Sequence, residues 1–133
     1  MAKFEMIGIP NAKKRVDVTS GNYVIITDYT VDQGGEDTGP SMGAMFLAGL
    51  VACTASTARG YCKKHNLPIP EKVITTFDMD DETELVTNVN FKFILPEGFP
   101  EKRLNALVRA SGQCTVKDWW MNPPDFTAVA VIE

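Results

Sequence analysis

The stretch from about Ser41 to Asn66 constrains this chain more than any other. It runs Met42-Gly-Ala-Met-Phe-Leu-Ala-Gly-Leu-Val-Ala-Cys53-Thr-Ala-Ser-Thr-Ala-Arg-Gly-Tyr61 and onward, a helical pattern with little that seeks water. Met42, Met45, Phe46, Leu47, Leu50 and Val51 cover every direction around the helix axis, so the first half has no polar side. A helix of that kind must be buried, by the rest of the fold or by a partner chain. Ser41 can cap its first turn, because the hydroxyl accepts an otherwise unpaired backbone N–H. Gly49 and Gly60 lower helix propensity and suggest close packing against the backbone. Arg59, Lys63, Lys64 and His65 make the second half polar, and Pro68 stops the helix.

The flanking sequence supplies sheets to cover such a helix. Lys3 to Ile9, Ala12 to Val18 and Asn22 to Tyr29 are rich in β-branched and aromatic residues, with a Ser20-Gly21 turn as in a meander. The segment from Asp32 to Pro40 is polar and too rich in glycine for regular structure. After the helix, strands are expected over Lys72 to Asp80 and Glu84 to Leu95, joined through Asp80-Asp-Glu82. In the second of these, Leu85, Thr87, Val89, Phe91, Phe93 and Leu95 alternate onto one face. Pro100 to Gln113 reads as a second helix, with Leu104, Leu107 and Val108 on its buried side. Phe126 to Ile132 reads as a last strand. The order β-β-β-α-β-β-α-β gives an α+β fold. The length of 133 residues, without repeat or linker, fits a single domain over 1–133.

Charge and cysteine usage narrow the setting. A net charge of −4 argues against nucleic-acid binding, which leaves a basic footprint. The runs Lys13-Lys-Arg15, Lys63-Lys64 and Lys102-Arg103 are scattered among acids and read as solvated faces. The N-terminus lacks the apolar core of a signal peptide, and no uninterrupted apolar stretch reaches the length of a membrane span. A cytoplasmic protein with no membrane partner is expected. In a reducing compartment a disulfide among the three cysteines would be transient and catalytic rather than structural.

Cys53 and Cys114 are the residues best suited to carry chemistry. Cys62 lies nine residues beyond Cys53, which on a helix means about 13 Å of rise and about 180° of rotation. A disulfide needs Cα atoms within about 7 Å, so Cys53 and Cys62 cannot pair while the helix is intact. Cys114 is then the one candidate partner for Cys53 within the chain. Two thiols so placed form either a redox pair assembled by folding or two inert buried side chains. A reactive thiol needs its thiolate stabilised by a cation or a helix N-terminus. Cys53 sits in mid-helix among apolar residues, so a cation is expected from elsewhere: Arg15, Arg59 or Arg109. Arg59 points about 120° away around the same helix. Arg15 is favoured, because a strand can lay a side chain across a helix face, its alternative being a surface charge. His65 is about 18 Å along the helix from Cys53, too far for a Cys-His pair. One histidine and three dispersed cysteines offer no metal-ligand spacing. Gly34-Gly35 and Gly39 lack the lysine and spacing of a phosphate loop, so neither metal nor cofactor is expected. Trp119, Trp120 and Phe126 read as core aromatics, with a pocket wall as the alternative.

Gly39-Pro-Ser41, the apolar run ending in Ala-Cys53-Thr, and Asn66-Leu-Pro68 before a strand together resemble the OsmC/Ohr family, the osmotically inducible and organic hydroperoxide resistance proteins. The helix ending at Cys114, followed by Pro123-Pro124 and a final strand, extends the resemblance over nearly the whole chain. The resemblance implies an OsmC-like fold and an intertwined homodimer with its long central helices buried between subunits. It also implies thiol peroxidase chemistry on organic hydroperoxides. Cys53 would be oxidised to a sulfenic acid, Cys114 would condense with it to a disulfide, and a cellular dithiol would reduce the pair. Arg15 would match the family's active-site arginine. Two positions depart from the family pattern: Gly43 and Ala44 stand where a glutamate orients that arginine, and Thr115 follows Cys114 where a proline is usual. A non-catalytic protein of the same fold, binding a small apolar or oxidised molecule, is the alternative.

Overall fold

The computed structural model describes residues 3–133, which fold as two compact units, the first ending at Ala48 and the second beginning at Gly49. The first unit is a meander of β1 (Ile7–Pro10), β2 (Val16–Ser20) and β3 (Tyr23–Thr27). All neighbours are antiparallel, in the order β1-β2-β3. Ser20 pairs with Tyr23, so Gly21 and Asn22 form a two-residue turn, and Gly21 takes a left-handed φ of 57°. The expected strands are present but shorter, and Arg15 falls just before β2.

The glycine-rich segment after β3 is a loop, as its composition implies, and side-chain hydrogen bonds order it. Its hub is Asp28, at 1% exposure. The Asp28 carboxylate accepts hydrogen bonds from the backbone N–H of Tyr29 (2.7 Å), Glu36 (3.3 Å) and Thr38 (3.1 Å), and from the Thr38 hydroxyl (2.6 Å). The Thr38 hydroxyl, acting before the opposing cost of burial and then helped by the three amides, holds its pKa down at about 2. A single 3-10 turn at Val31–Gln33 lies inside the loop, and Lys14 caps its outer side, with Nζ 4.8 Å from the Tyr29 ring centre. Gly35 and Gly39 are required by close approach: a Cβ would collide with the Tyr29 carbonyl oxygen at the first and the Ile26 carbonyl oxygen at the second. Asp28 N–H donates to the Pro40 carbonyl at 3.0 Å, which delivers the chain to the first turn of the long helix.

That helix, α1, runs Met42–Lys64. Ser41 caps it as expected, its Oγ accepting from Ala44 N–H at 3.1 Å. It is long and apolar enough to cross a bilayer by length and composition, a test that the core helices of soluble proteins also pass, and one that the sequence reading did not expect any segment to meet. In this single chain much of it is uncovered: Leu50, Thr54, Ala58 and Cys62 are buried, while Phe46 is 63% exposed.

In the second unit, β4 (Lys72–Met79) and β5 (Val86–Ile94) pair antiparallel, with Val73 opposite Phe93, Thr75 opposite Phe91 and Phe77 opposite Val89. Asp80 closes the connection, accepting from the N–H of Glu82 and Thr83 at 2.8 and 2.9 Å. The alternation in β5 places Val89, Phe91, Phe93 and Leu95 inward, but Leu85 is exposed beyond the strand's start. The core of the unit is Ala58, Cys62 and Leu107, with Tyr61, Leu67, Phe93, Leu95 and Phe99 packed around it.

The second predicted helix divides. Glu101–Arg103 is a 3-10 turn, α2 spans Leu104–Ser111, and a further helix, α3, spans Thr115–Met121. Leu107 and Ser111 are buried in α2, whereas Leu104 and Val108, expected on the buried face, are exposed. Two expectations about the C-terminal part are corrected. Trp119 and Phe126 are exposed rather than core. The segment 126–132 forms no strand among the described residues of this chain: no partner edge pairs with it, and Val129, Val131 and Ile132 are exposed. Mixed strands and helices in this order remain an α+β fold.

Candidate functional site

Cys53 and Cys114 meet in the second unit. Cys53 is set by α1, partly exposed on a turn that also carries Thr57. Cys114 is the residue that starts α3, with the extended φ of −112° and ψ of 127° of an N-cap, and it is 1% exposed. Gly112 ends α2, so the chain can turn there and drop Cys114 inward before α3 begins. All three cysteines are free thiols.

The electrostatics of the two sulfurs are opposed. A hydrogen bond from the Cys114 thiol lowers the Cys53 pKa. Burial acts against it, and the backbone N–H groups of Val116 and Thr115 and the Thr57 hydroxyl act with it. The amides belong to the first turn of α3, where unpaired N–H groups favour a negative charge. Cys114 itself is pushed up, first by burial and then by donating its proton to Cys53. The same contact thus lowers the pKa of one sulfur and raises that of its neighbour.

The other candidates fall as follows. Cys62 is fully buried and burial raises its pKa, which makes it the inert packing thiol that helix geometry had separated from Cys53. Arg15 belongs to the first unit, where Asp17 grips its guanidinium with Nε to Oδ1 at 2.7 Å and Nη2 to Oδ2 at 3.1 Å. That fork places a carboxylate on the arginine from the start of β2, two residues along the chain. Gly43 and Ala44 carry none. Arg59 donates to Ser56 at 3.5 Å.

The sequence reading sought a cation for Cys53 and passed over three donors. Thr57 has the i, i+4 spacing that puts two side chains on one helix face, a legible signal. The amides of Thr115 and Val116 were hidden because α3 itself was not anticipated.

A family model of OsmC-like proteins matches residues 34–129, a span that includes both Cys53 and Cys114. No curated protein matches the sequence significantly. Among solved structures, an OsmC-like protein from Mycoplasma pneumoniae superposes with a TM-score of 0.74 at 16% identity, over 92% of this chain and 89% of that one. A Psychrobacter arcticus protein described by an osmotic stress induced and detoxification response gives 0.74 at 16% identity, over 89% and 88% of the two chains. An organic hydroperoxide resistance protein OsmC from Legionella pneumophila gives 0.56 at 16% identity, over 92% and 91%. At that identity the superpositions establish the shared fold, and the match over 34–129 establishes kinship: this chain belongs to the family of OsmC-like proteins.

Proposed function

We propose that the chain is a thiol-dependent peroxidase for organic hydroperoxides, with Cys53 as nucleophile and Cys114 as resolving thiol. The observation that carries this reading is the hydrogen bond from a buried thiol at Cys114 to a partly exposed sulfur at Cys53, which lowers the pKa of Cys53 and raises that of Cys114. In the first step the Cys53 thiolate attacks the distal oxygen of ROOH. An S–O bond forms, the O–O bond breaks, and RO⁻ leaves to take a proton from water. The Cys53 sulfenic acid then meets the Cys114 thiol already at its side. Condensation forms the disulfide and releases water. A dithiol reduces it by exchange and is itself oxidised to a disulfide, so the cycle converts ROOH and a dithiol into ROH, water and that disulfide. The partial exposure of Cys53 makes its sulfur the point of attack for both peroxide and reductant. The apolar helical run in which Cys53 lies, with Leu50 one turn back on the same face, favours an organic R group over hydrogen peroxide. Arg15, whose guanidinium Asp17 holds, is the cation that the family resemblance implies for this reading. Free thiols throughout suit a cytoplasmic location.

The working form in this reading is a homodimer. Support comes from the uncovered apolar side of α1 and from the segment 126–132, whose exposed apolar residues pair with no strand among the described residues. A second copy would supply both covers. Sedimentation equilibrium at micromolar concentration is expected to give twice the mass of one chain; a monomer at that concentration would remove the dimer from the account.

Turnover tests the enzyme. With excess small dithiol as reductant, an alkyl hydroperoxide is expected to be consumed catalytically and faster than hydrogen peroxide. Stoichiometric consumption only, or no consumption, would contradict the proposal.

A further inference from the structure

One polar side chain at the site has no part in the exchange of electrons. Thr57 lies one turn beyond Cys53 on α1, and its Oγ1 donates to the Cys53 carbonyl at 2.8 Å. A mid-helix threonine often makes this bond back to the residue four positions earlier. Here the fourth residue back is the nucleophile, and spacing of four puts both side chains on one face. The hydroxyl carries one proton, which the Cys53 carbonyl does not need, because that carbonyl already accepts within the helix.

We propose that Thr57 is a positioning residue for the Cys53 sulfur, its hydroxyl proton turning from the Cys53 carbonyl to Sγ as the thiolate forms. The inference rests on the peroxidase reading and deepens it. With no carboxylate at Gly43 or Ala44, this chain orients its nucleophile through short-range donors. Cys114 approaches Sγ from the α2–α3 connection, the amides of Thr115 and Val116 from α3, and Thr57 from the helix of Cys53 itself. These groups reach the sulfur from three separate elements, and the partial exposure of Cys53 leaves it open to the incoming peroxide oxygen. The titratable group facing Cys53 in this arrangement is Cys114, whose proton is the one shared between the sulfurs.

The test compares wild type with Thr57→Val, which keeps the shape and removes the hydroxyl, with Thr57→Ala as a second variant and Thr57→Ser as the rescue. The rate of Cys53 alkylation by iodoacetamide, followed against pH and located by peptide mass spectrometry, reads the thiolate directly. Thr57→Val and Thr57→Ala are expected to move the Cys53 midpoint upward by roughly one pH unit, and Thr57→Ser to restore it. Near neutral pH the hydroperoxide reaction of the Val and Ala variants is expected to fall about tenfold and to recover toward wild type in alkali. Alkylation profiles that overlay wild type, or a midpoint that Ser fails to restore, would overturn the role of Thr57. Alkylation does not depend on peroxide turnover, so an inactive wild type with a shifted Thr57→Val profile would sink the peroxidase reading and leave this role standing.

Discussion

Cys53→Ser is expected to lower hydroperoxide turnover by at least about a thousandfold, because a serine hydroxyl at neutral pH is a far weaker nucleophile than a thiolate. The substitution removes one atom's identity and little volume, so the fold and the buried Cys114 should be unaffected. Cys114→Ser should behave differently. It keeps a hydroxyl donor beside Cys53, so one round of reaction with hydroperoxide proceeds. The sulfenic acid then has no thiol to condense with and is open to further oxidation to the sulfinic acid. Intact-protein mass spectrometry separates the two: no oxygen added in Cys53→Ser, one and then two added at Cys53 in Cys114→Ser. If Cys53→Ser retains turnover, another group is the nucleophile and the site has been misassigned.

Asp28→Ala is expected to lower the melting temperature by on the order of 10 °C, the largest stability effect of any single polar side chain in the first unit. Removing the carboxylate leaves the N–H groups of Tyr29, Glu36 and Thr38 and the Thr38 hydroxyl without their acceptor, in a place with little access to water. Asp28→Asn should be intermediate, since the amide keeps one acceptor and turns a donor toward other donors. The acid response follows from the same contacts. Asp28 holds its proton less tightly folded, at about 2, than at the ordinary value of 3.8. Its contribution is therefore complete above 3.8 and is lost as pH falls through about 2. Thermal melts against pH should show wild type losing stability across that window, and Asp28→Asn lacking that share of the loss. Equal acid sensitivity in the two would contradict the role of Asp28.

Much of this architecture is legible in the sequence, and the failures have physical causes. The long helix announced itself through apolar residues in all directions and a serine at its start; the β4–β5 hairpin did so through the alternation from Val89 to Leu95. Helix geometry excluded Cys62 as a partner of Cys53, and the family resemblance implied that Cys114 would be that partner. Asp28 was missed because its partners stand eight and ten residues along the chain, where no local periodicity points to them. α3 was missed because seven residues beginning with Thr and Val and containing two tryptophans carry no helical stripe. The segment 126–132 has the residue types of a strand but forms none, because a strand exists only beside another and the described residues supply no free edge to it. The same holds for Leu104 and Val108: periodicity marks them as apolar, while burial depends on a surface that reaches only Leu107 and Ser111 here. The groups that act on the Cys53 pKa are a neighbouring thiol, two amides and a hydroxyl, none of which a search for cations would find.

The central claim is that Cys53 and Cys114 react as a pair, and it is tested most directly by adding one equivalent of an organic hydroperoxide to the reduced protein and mapping disulfides by mass spectrometry. The account predicts rapid loss of two thiols, a single Cys53–Cys114 cross-linked peptide and an unmodified Cys62. Free thiols at both positions while the peroxide persists, or a disulfide that involves Cys62, would contradict it.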